Sequence, residues 1–340
     1  MKYLTYFVAF ALVSLPAAAP NSDEDDKLVV SPNFYTDDMV IYKAKHEIIN
    51  ILVPLNSLNF DESESSESEE EDSDITLFFV EADVQSDGTR EYKGLYVLKD
   101  GKATKLLEHG TDAAASGDES KLVFFGAKDG IYVFNQKTNT ADKYGPITDS
   151  IIGIAKEKSG DVIYILTEDR EVYKVSNGGE TKVKLDDVVN AKEIVLDYSN
   201  NLYFFSDDKK PYVRTDDGVK EVEDLPEDIS DARLIKPLFI LDDAVGFVAD
   251  NKVYILYANA TSEPSDIEFV PKAKPTAYAP EATLIQYYAI KRKIYELNLL
   301  KLLMETGTEL SDYLTPKAEE IQTLASQTKS QASRTKATKA

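Results

Sequence analysis

The chain has 340 residues, 38 Lys+Arg against 61 Asp+Glu and a net charge of −23 at pH 7; this balance argues against nucleic-acid binding and against docking on anionic lipid, both of which need clustered cations. It has no cysteine and only two histidines, His46 and His109, which excludes disulfide scaffolds, thiolate chemistry and nearly every transition-metal site. With 43% hydrophobic residues, 20 Tyr and 14 Phe, the chain is too rich in strand formers to be a disordered polymer, so its charge belongs to its surface.

Residues 1–19 carry one early cation, Lys2, then an apolar run from Tyr6 to Leu15 and the small residues Ala17-Ala18-Ala19. This is the layout of a secretory signal peptide. The apolar run falls short of the roughly 20 residues a membrane-crossing helix requires, and the acidic NSDEDD follows at once. A secreted, extracellular protein is expected, with a folded domain over residues 26–303. Within it, VIYKA (40–44) and IINILVP (48–54) read as strands. Residues 61–74, DESESSESEEEDSD, contain nine acids and five serines; such a run repels itself and reads as a disordered, solvated loop inserted in the first blade. Ser65 and Ser68, each followed two residues later by Glu, are candidate phosphorylation sites, and the insert is a candidate weak collector of Ca²⁺.

From residue 76 onward two kinds of apolar run recur together. An aliphatic–Tyr strand places Tyr96, Tyr132, Tyr173, Tyr212 (here after Pro211), Tyr254 and Tyr295 at intervals of 36, 41, 39, 42 and 41 residues. Upstream of most of them lies a second aromatic or aliphatic run, such as KLVFFGAKD (121–129) or DVIYILTED (161–169). The unit around NLYFFSDD (201–208) adds a preceding strand, EIVLD (193–197), and a following one, GVKEVE (218–223). Four antiparallel strands at this period form the unit of a β-propeller blade, and near-continuous apolar runs suit strands covered on both faces. The expected fold is all-β: a six-bladed β-propeller of four-stranded antiparallel blades. An evenly spaced β-sandwich gives no reason for the same Tyr in the same strand six times.

The last pair of runs (283–298) lacks a fourth strand, so VIYKA or IINILVP is expected to complete that blade. Tyr42 lies 54 residues before Tyr96, and subtracting the 14-residue insert leaves one further period, so seven blades is the alternative. Asn259-Ala260-Thr261 is the only glycosylation sequon and follows a strand pattern where an exposed loop should begin. Residues 304–340 are polar and locally basic, and read as a flexible tail.

No nucleophile elbow, phosphate loop, dinucleotide fingerprint or EF-hand occurs. His46-Glu47 starts like a zinc-helix motif but has Asn50 where the second ligand belongs. A Ca²⁺-dependent propeller hydrolase is one alternative, with Asn190, Asp197 and Asp231 as conceivable channel ligands; a structural or interaction protein is another. A propeller also binds small molecules at one end of its channel. The candidate ligand-binding residues are Lys192, Arg233, Lys236 and Tyr278 at the starts of inner strands, with His109 in an equivalent loop. Three are cations in an acidic chain, which suits a planar acidic ligand, with Tyr278 as a stacking face.

The phrases GIYVFNQKT (130–138), DVIYILTEDREVYKV (161–175) and EIVLDYSNNLYFFSDD (193–208), behind a signal peptide, resemble the ommochrome-binding proteins of lepidopteran haemolymph over about residues 76–300. The resemblance implies a secreted, monomeric, non-enzymatic carrier, without cofactor, for planar, acidic, tryptophan-derived pigments. The acidic insert and the polar tail depart from that family.

Overall fold

The computed structural model describes residues 28–54, 76–118, 120–238, 241, 243–281 and 285–298. The segment expected to be a signal peptide, Ser65, Ser68, the acidic insert and the tail lie outside the described residues. β1 (Leu28–Val30) and β2 (Val40–Lys43) precede the repeats. Blade one is β3 (Glu47–Leu52), β4 (Leu77–Val84), β5 (Arg90–Lys99) and β6 (Lys102–Leu107). Blade two is β7 (Gly110–Ala115), β8 (Val123–Ala127), β9 (Gly130–Asn135) and β10 (Thr140–Lys143). Blade three is β11 (Ile151–Lys156), β12 (Ile163–Thr167), β13 (Val172–Ser176) and β14 (Thr181–Lys184). Blade four is β15 (Glu193–Leu196), β16 (Leu202–Phe205), β17 (Pro211–Thr215) and β18 (Gly218–Glu221). Blade five is β19 (Ala232–Ile235), β20 (Ala244–Ala249), β21 (Lys252–Tyr257) and β22 (Ser262–Phe269). Blade six is β23 (Ala277–Ala279), β24 (Ile285–Ile290) and β25 (Lys293–Asn298), completed by β2 on its outer edge.

Each blade is an antiparallel meander, and the first strands of successive blades approach one another around an axis: β3 with β7, β7 with β11, β11 with β15, β15 with β19, and β23 with β3. The blade count is six. VIYKA closes the ring as β2, with Tyr42 opposite Ile294, so it is not a blade of its own. IINILVP instead opens blade one as β3. The short β1 adds a fifth, parallel strand outside β22, Val29 facing Glu268; nothing in the repeat pattern pointed to it.

Every blade interface buries one hydrophobic cluster. Because successive side chains of a strand point to opposite faces, Phe78 packs toward blade two and Phe79 toward blade six, while Phe125 packs toward blade one and Phe124 toward blade three. The second strands β8, β12 and β16 are therefore buried at every position, which is why their sequences do not alternate. The repeated Tyr has an equally local cause. In all six blades it sits across from a large residue of the second strand: Phe79, Phe125, Ile165, Phe204, Phe247 and Tyr288. Phe79–Tyr96 and Phe204–Tyr212 are stacked, with ring centroids 5.1 and 5.3 Å apart. Such cross-strand pairs stabilise a sheet by several tenths of a kcal/mol each, roughly 0.2–1. The phenol then reaches a carboxylate of its own blade at Tyr132–Asp129 (2.7 Å) and Tyr212–Asp208 (2.8 Å), and likewise at Tyr173–Glu171.

Candidate functional site

The first strands give the channel its lining, and in blades one to three they carry a register irregularity at equivalent places: between Ile48 and Asn50, Gly110 and Asp112, and Ile151 and Gly153. A bulge bends a strand and re-aims the side chain that follows. Asn50 and Asp112 follow two of these bulges, and the Asn50 amide donates to Asp112 Oδ1. Asp112 also accepts the backbone N–H groups of Ala113 (2.7 Å) and, from the next blade, Ile154 (2.8 Å). Glu193 repeats that arrangement in blade four, accepting the N–H of Leu234 in blade five at 3.0 Å.

Two cations cross between blades to meet these carboxylates. Arg233 lies 3.2 Å from Glu193 through Nε and donates through Nη2 to the carbonyl of Ile49 in blade one at 2.5 Å. Lys236, at the end of the same inner strand, donates to the carbonyl of Ala113 in blade two, on the opposite side of the ring, at 2.7 Å. Burial raises the proton affinity of both Asp112 and Glu193. The field of Lys236 acts against it at Asp112, and that of Arg233 at Glu193. The middle of the channel is thus filled by a polar layer drawn from four blades.

On one side of this layer lies an open cavity of about 920 Å³, walled by the starts of the inner strands and by the β4–β5 turn. Its walls hold nine Lys or Arg side chains and five Asp or Glu, the reverse of the whole chain. Lys192, Arg233, Lys236 and Tyr278 all line it. The exposed His109 is not among its walls; it sits in the turn before β7, where its carbonyl accepts from Lys128 N of the β8–β9 turn. Lys192 stands at the rim and pairs with Asp207 at 2.8 Å, a carboxylate that Arg170 also grips through both oxygens at 2.7 Å. Tyr278 is buried against Phe269 and Tyr288 in edge-on contacts, centroids 6.1 Å away in each case, and burial pushes its phenol well above the ordinary range.

The residues considered for a channel metal do not meet. Asp231 lines the open cavity and pairs with Lys274. Asp197 lines a cavity at the other end, where it accepts from Ser199 N, Asn201 N, the Asn201 amide and the Tyr203 hydroxyl. Asn190 is exposed in a turn with φ of 51°. Among the described residues no group of three or more acidic or histidine side chains could hold a metal ion. His46 precedes a strand, not a helix, and meets Asp83 at 2.7 Å. Asn259 is exposed in the β21–β22 turn, its side-chain oxygen accepting from Thr261 N at 3.1 Å and from the Thr261 hydroxyl at 2.7 Å.

Sequence reasoning selected Lys192, Arg233 and Lys236, three of the nine cations in the cavity wall, and missed Lys272, Lys274 and Lys291 together with Asn50, Asp112 and Glu193. A signal for the last two was present: Glu193 lies one repeat of forty residues before Arg233, and Asp112 falls two repeats earlier still. Asn50 was hidden by the insert, which breaks the period between blades one and two.

No protein-family model matches the chain, and no curated protein matches it. Among solved structures it is similar to PorZ, a surface component of the type-IX secretion system of Porphyromonas gingivalis (11% identity, TM-score 0.47, covering 76% of this chain and 37% of that one). It is also similar to virginiamycin B lyase from Staphylococcus aureus (17%, 0.46, 74% and 84%) and to U3-55K (10%, 0.47, 76% and 98%). The chain therefore spans little more than a third of PorZ's length. Likenesses this distant carry no chemistry, and the propeller stands on the sheet order itself.

Proposed function

We propose that this protein is a secreted, non-enzymatic carrier that holds a small planar aromatic acid, of the ommochrome class, at the open mouth of its channel. The observation that carries the reading is the inversion of charge: an acidic chain turns an excess of cations inward around a cavity of about 920 Å³, within the size range of small-molecule sites. Lys272, Lys274 and Lys291 stand with Arg233 in that wall, so an anion entering it exchanges water for charge-assisted hydrogen bonds. Tyr278 adds an aromatic surface beside them. The carboxylates of the polar layer accept N–H groups, which favours a binding role over one as a general base.

The test is a titration of the mature protein with an ommatin-type pigment, following the pigment's visible absorption together with tyrosine emission, which no Trp obscures. A saturable shift that weakens about tenfold or more in the Lys272→Glu/Lys274→Glu double variant supports the carrier. No shift up to high micromolar pigment removes it.

A further inference from the structure

Arg233 and Glu193 stand together in the wall of the open mouth. The guanidinium Nε lies 3.2 Å from the carboxylate, and the two side chains are 22% and 26% exposed, so both can be reached from the cavity. An anion that enters and claims Arg233 therefore comes up against a second negative charge already paired with it. Two like charges that share one cation in a partly buried place cannot both stay ionised without cost. The one that can take up a proton relieves it.

Glu193 is the less firmly held of the two carboxylates in the polar layer. Asp112 accepts from the Asn50 amide and from two backbone N–H groups, those of Ala113 and Ile154. Glu193 accepts one backbone N–H, from Leu234 at 3.0 Å, and otherwise depends on Arg233. Hydrogen bonds to the ionised form are what keep a carboxylate ionised, so Glu193 gives way first. The charged and titratable groups that face it are Arg233 from β19, Arg90 from β5, Asp112 from β7 and the Tyr278 phenol from β23. Phe205, opposite it on β16, brings none. Burial raises its proton affinity and Asp112 adds to that, while Arg233, the Leu234 N–H and Arg90 act against it. An anion that draws on Arg233 weakens the strongest of the opposing influences and adds a further negative charge.

We propose that the mouth binds its anionic ligand together with a proton, which Glu193 takes up as the ligand claims Arg233. This rests on the carrier reading and adds its regulation by pH. With ligand bound, Glu193 holds its proton more tightly than in the empty protein. Affinity therefore rises as pH falls through the interval between the two titrations, by at most about tenfold per pH unit for one linked proton, and is flat on either side.

Calorimetric titration of the mature protein with an ommatin-type pigment tests it, in buffers of unequal ionisation enthalpy at a series of values from about pH 5 to about pH 8. Net proton uptake on binding is expected, with a dissociation constant that rises with pH. Glu193→Gln keeps an acceptor oxygen for the Leu234 N–H but cannot titrate. It should bind without proton uptake and independently of pH, and about threefold or more tighter than the unaltered protein at pH 8. If that variant does not fold, carboxyl-carbon NMR of the unaltered protein decides instead: the Glu193 titration moves to higher pH in saturating pigment. Pigment bound without proton uptake, uptake undiminished in Glu193→Gln, or a Glu193 titration unmoved by the pigment overturns the proposal and leaves the carrier standing. No pigment binding at any pH in the series overturns both.

Discussion

Tyr203 is fully buried, and its hydroxyl is held twice, by Asp197 Oδ2 at 3.1 Å and by the Asp243 carbonyl of blade five at 3.2 Å. Removing the oxygen takes one donor from each acceptor, while Asp197 keeps Ser199 N and Asn201 and the Asp243 carbonyl keeps Ala258 N, so the change costs about 0.5–1.5 kcal/mol. Tyr203→Phe should therefore lower the unfolding free energy by that amount, read in urea unfolding as a lower midpoint at unchanged slope. Glu281 carries a sign that can be checked. Burial pushes its carboxyl from 4.5 up to about 7, so the native state holds this proton more tightly than the unfolded chain does. The resulting stability is complete below about pH 4.5 and is lost as pH rises through about 7. Glu281→Gln should be nearly neutral at pH 4.5 and stabilising by about 3 kcal/mol at pH 8.5. Unfolding curves at the two pH values give the comparison; an equal effect at both would contradict the assignment.

At the scale of the element, the decisive piece is β2, which reaches from the amino-terminal side to pair with β25. Deleting residues 28–46 leaves blade six with three strands and an open edge, a site for unwanted pairing. Such a variant should unfold in a broader, lower-temperature transition and associate at high concentration, observable by calorimetry and light scattering. Gly130 shows how tightly the hairpins are set: its φ is +128°, and a Cβ there would lie 2.0 Å from the Ile147 carbonyl oxygen. Gly130→Ala should cost about 3 kcal/mol in thermal or denaturant unfolding. Much of this level was legible in the sequence, because the repeated Tyr opposite a bulky second-strand residue is a cross-strand requirement that acts within one blade. The parallel strand β1 was not legible, since three residues, LVV, carry no period of their own. The choice between VIYKA and IINILVP needed the ring, because either segment can pair with β25 as far as local pattern goes.

Over the whole molecule, legibility of the site divides in the same way. Arg233, Tyr278 and Lys192 were legible because inner-strand starts recur with the blade period and cations stand out in an acidic chain; Lys236, expected at a strand start, instead stands just past the end of β19. That Arg233 and Lys236 reach across the ring to Ile49 and Ala113 is a property of closure, and no spacing within one blade encodes it. The bulges that direct Asn50 and Asp112 inward are equally invisible to a pattern of apolar residues. The distribution of charge is the molecule's most testable feature. The net charge of −23 repels an anion at long range, whereas the cation-rich mouth attracts it at short range, and salt screens both. The two influences have opposite salt dependences, so their sign distinguishes them. The measurement is the dissociation constant of an ommatin-type pigment between about 0.05 and 0.5 M sodium chloride, within and beyond the range where charges separated by roughly 10 Å still interact. Binding at the mouth predicts saturable affinity that weakens steadily as salt rises. Affinity that strengthens with salt, or no saturable binding at any concentration of it, would contradict the account.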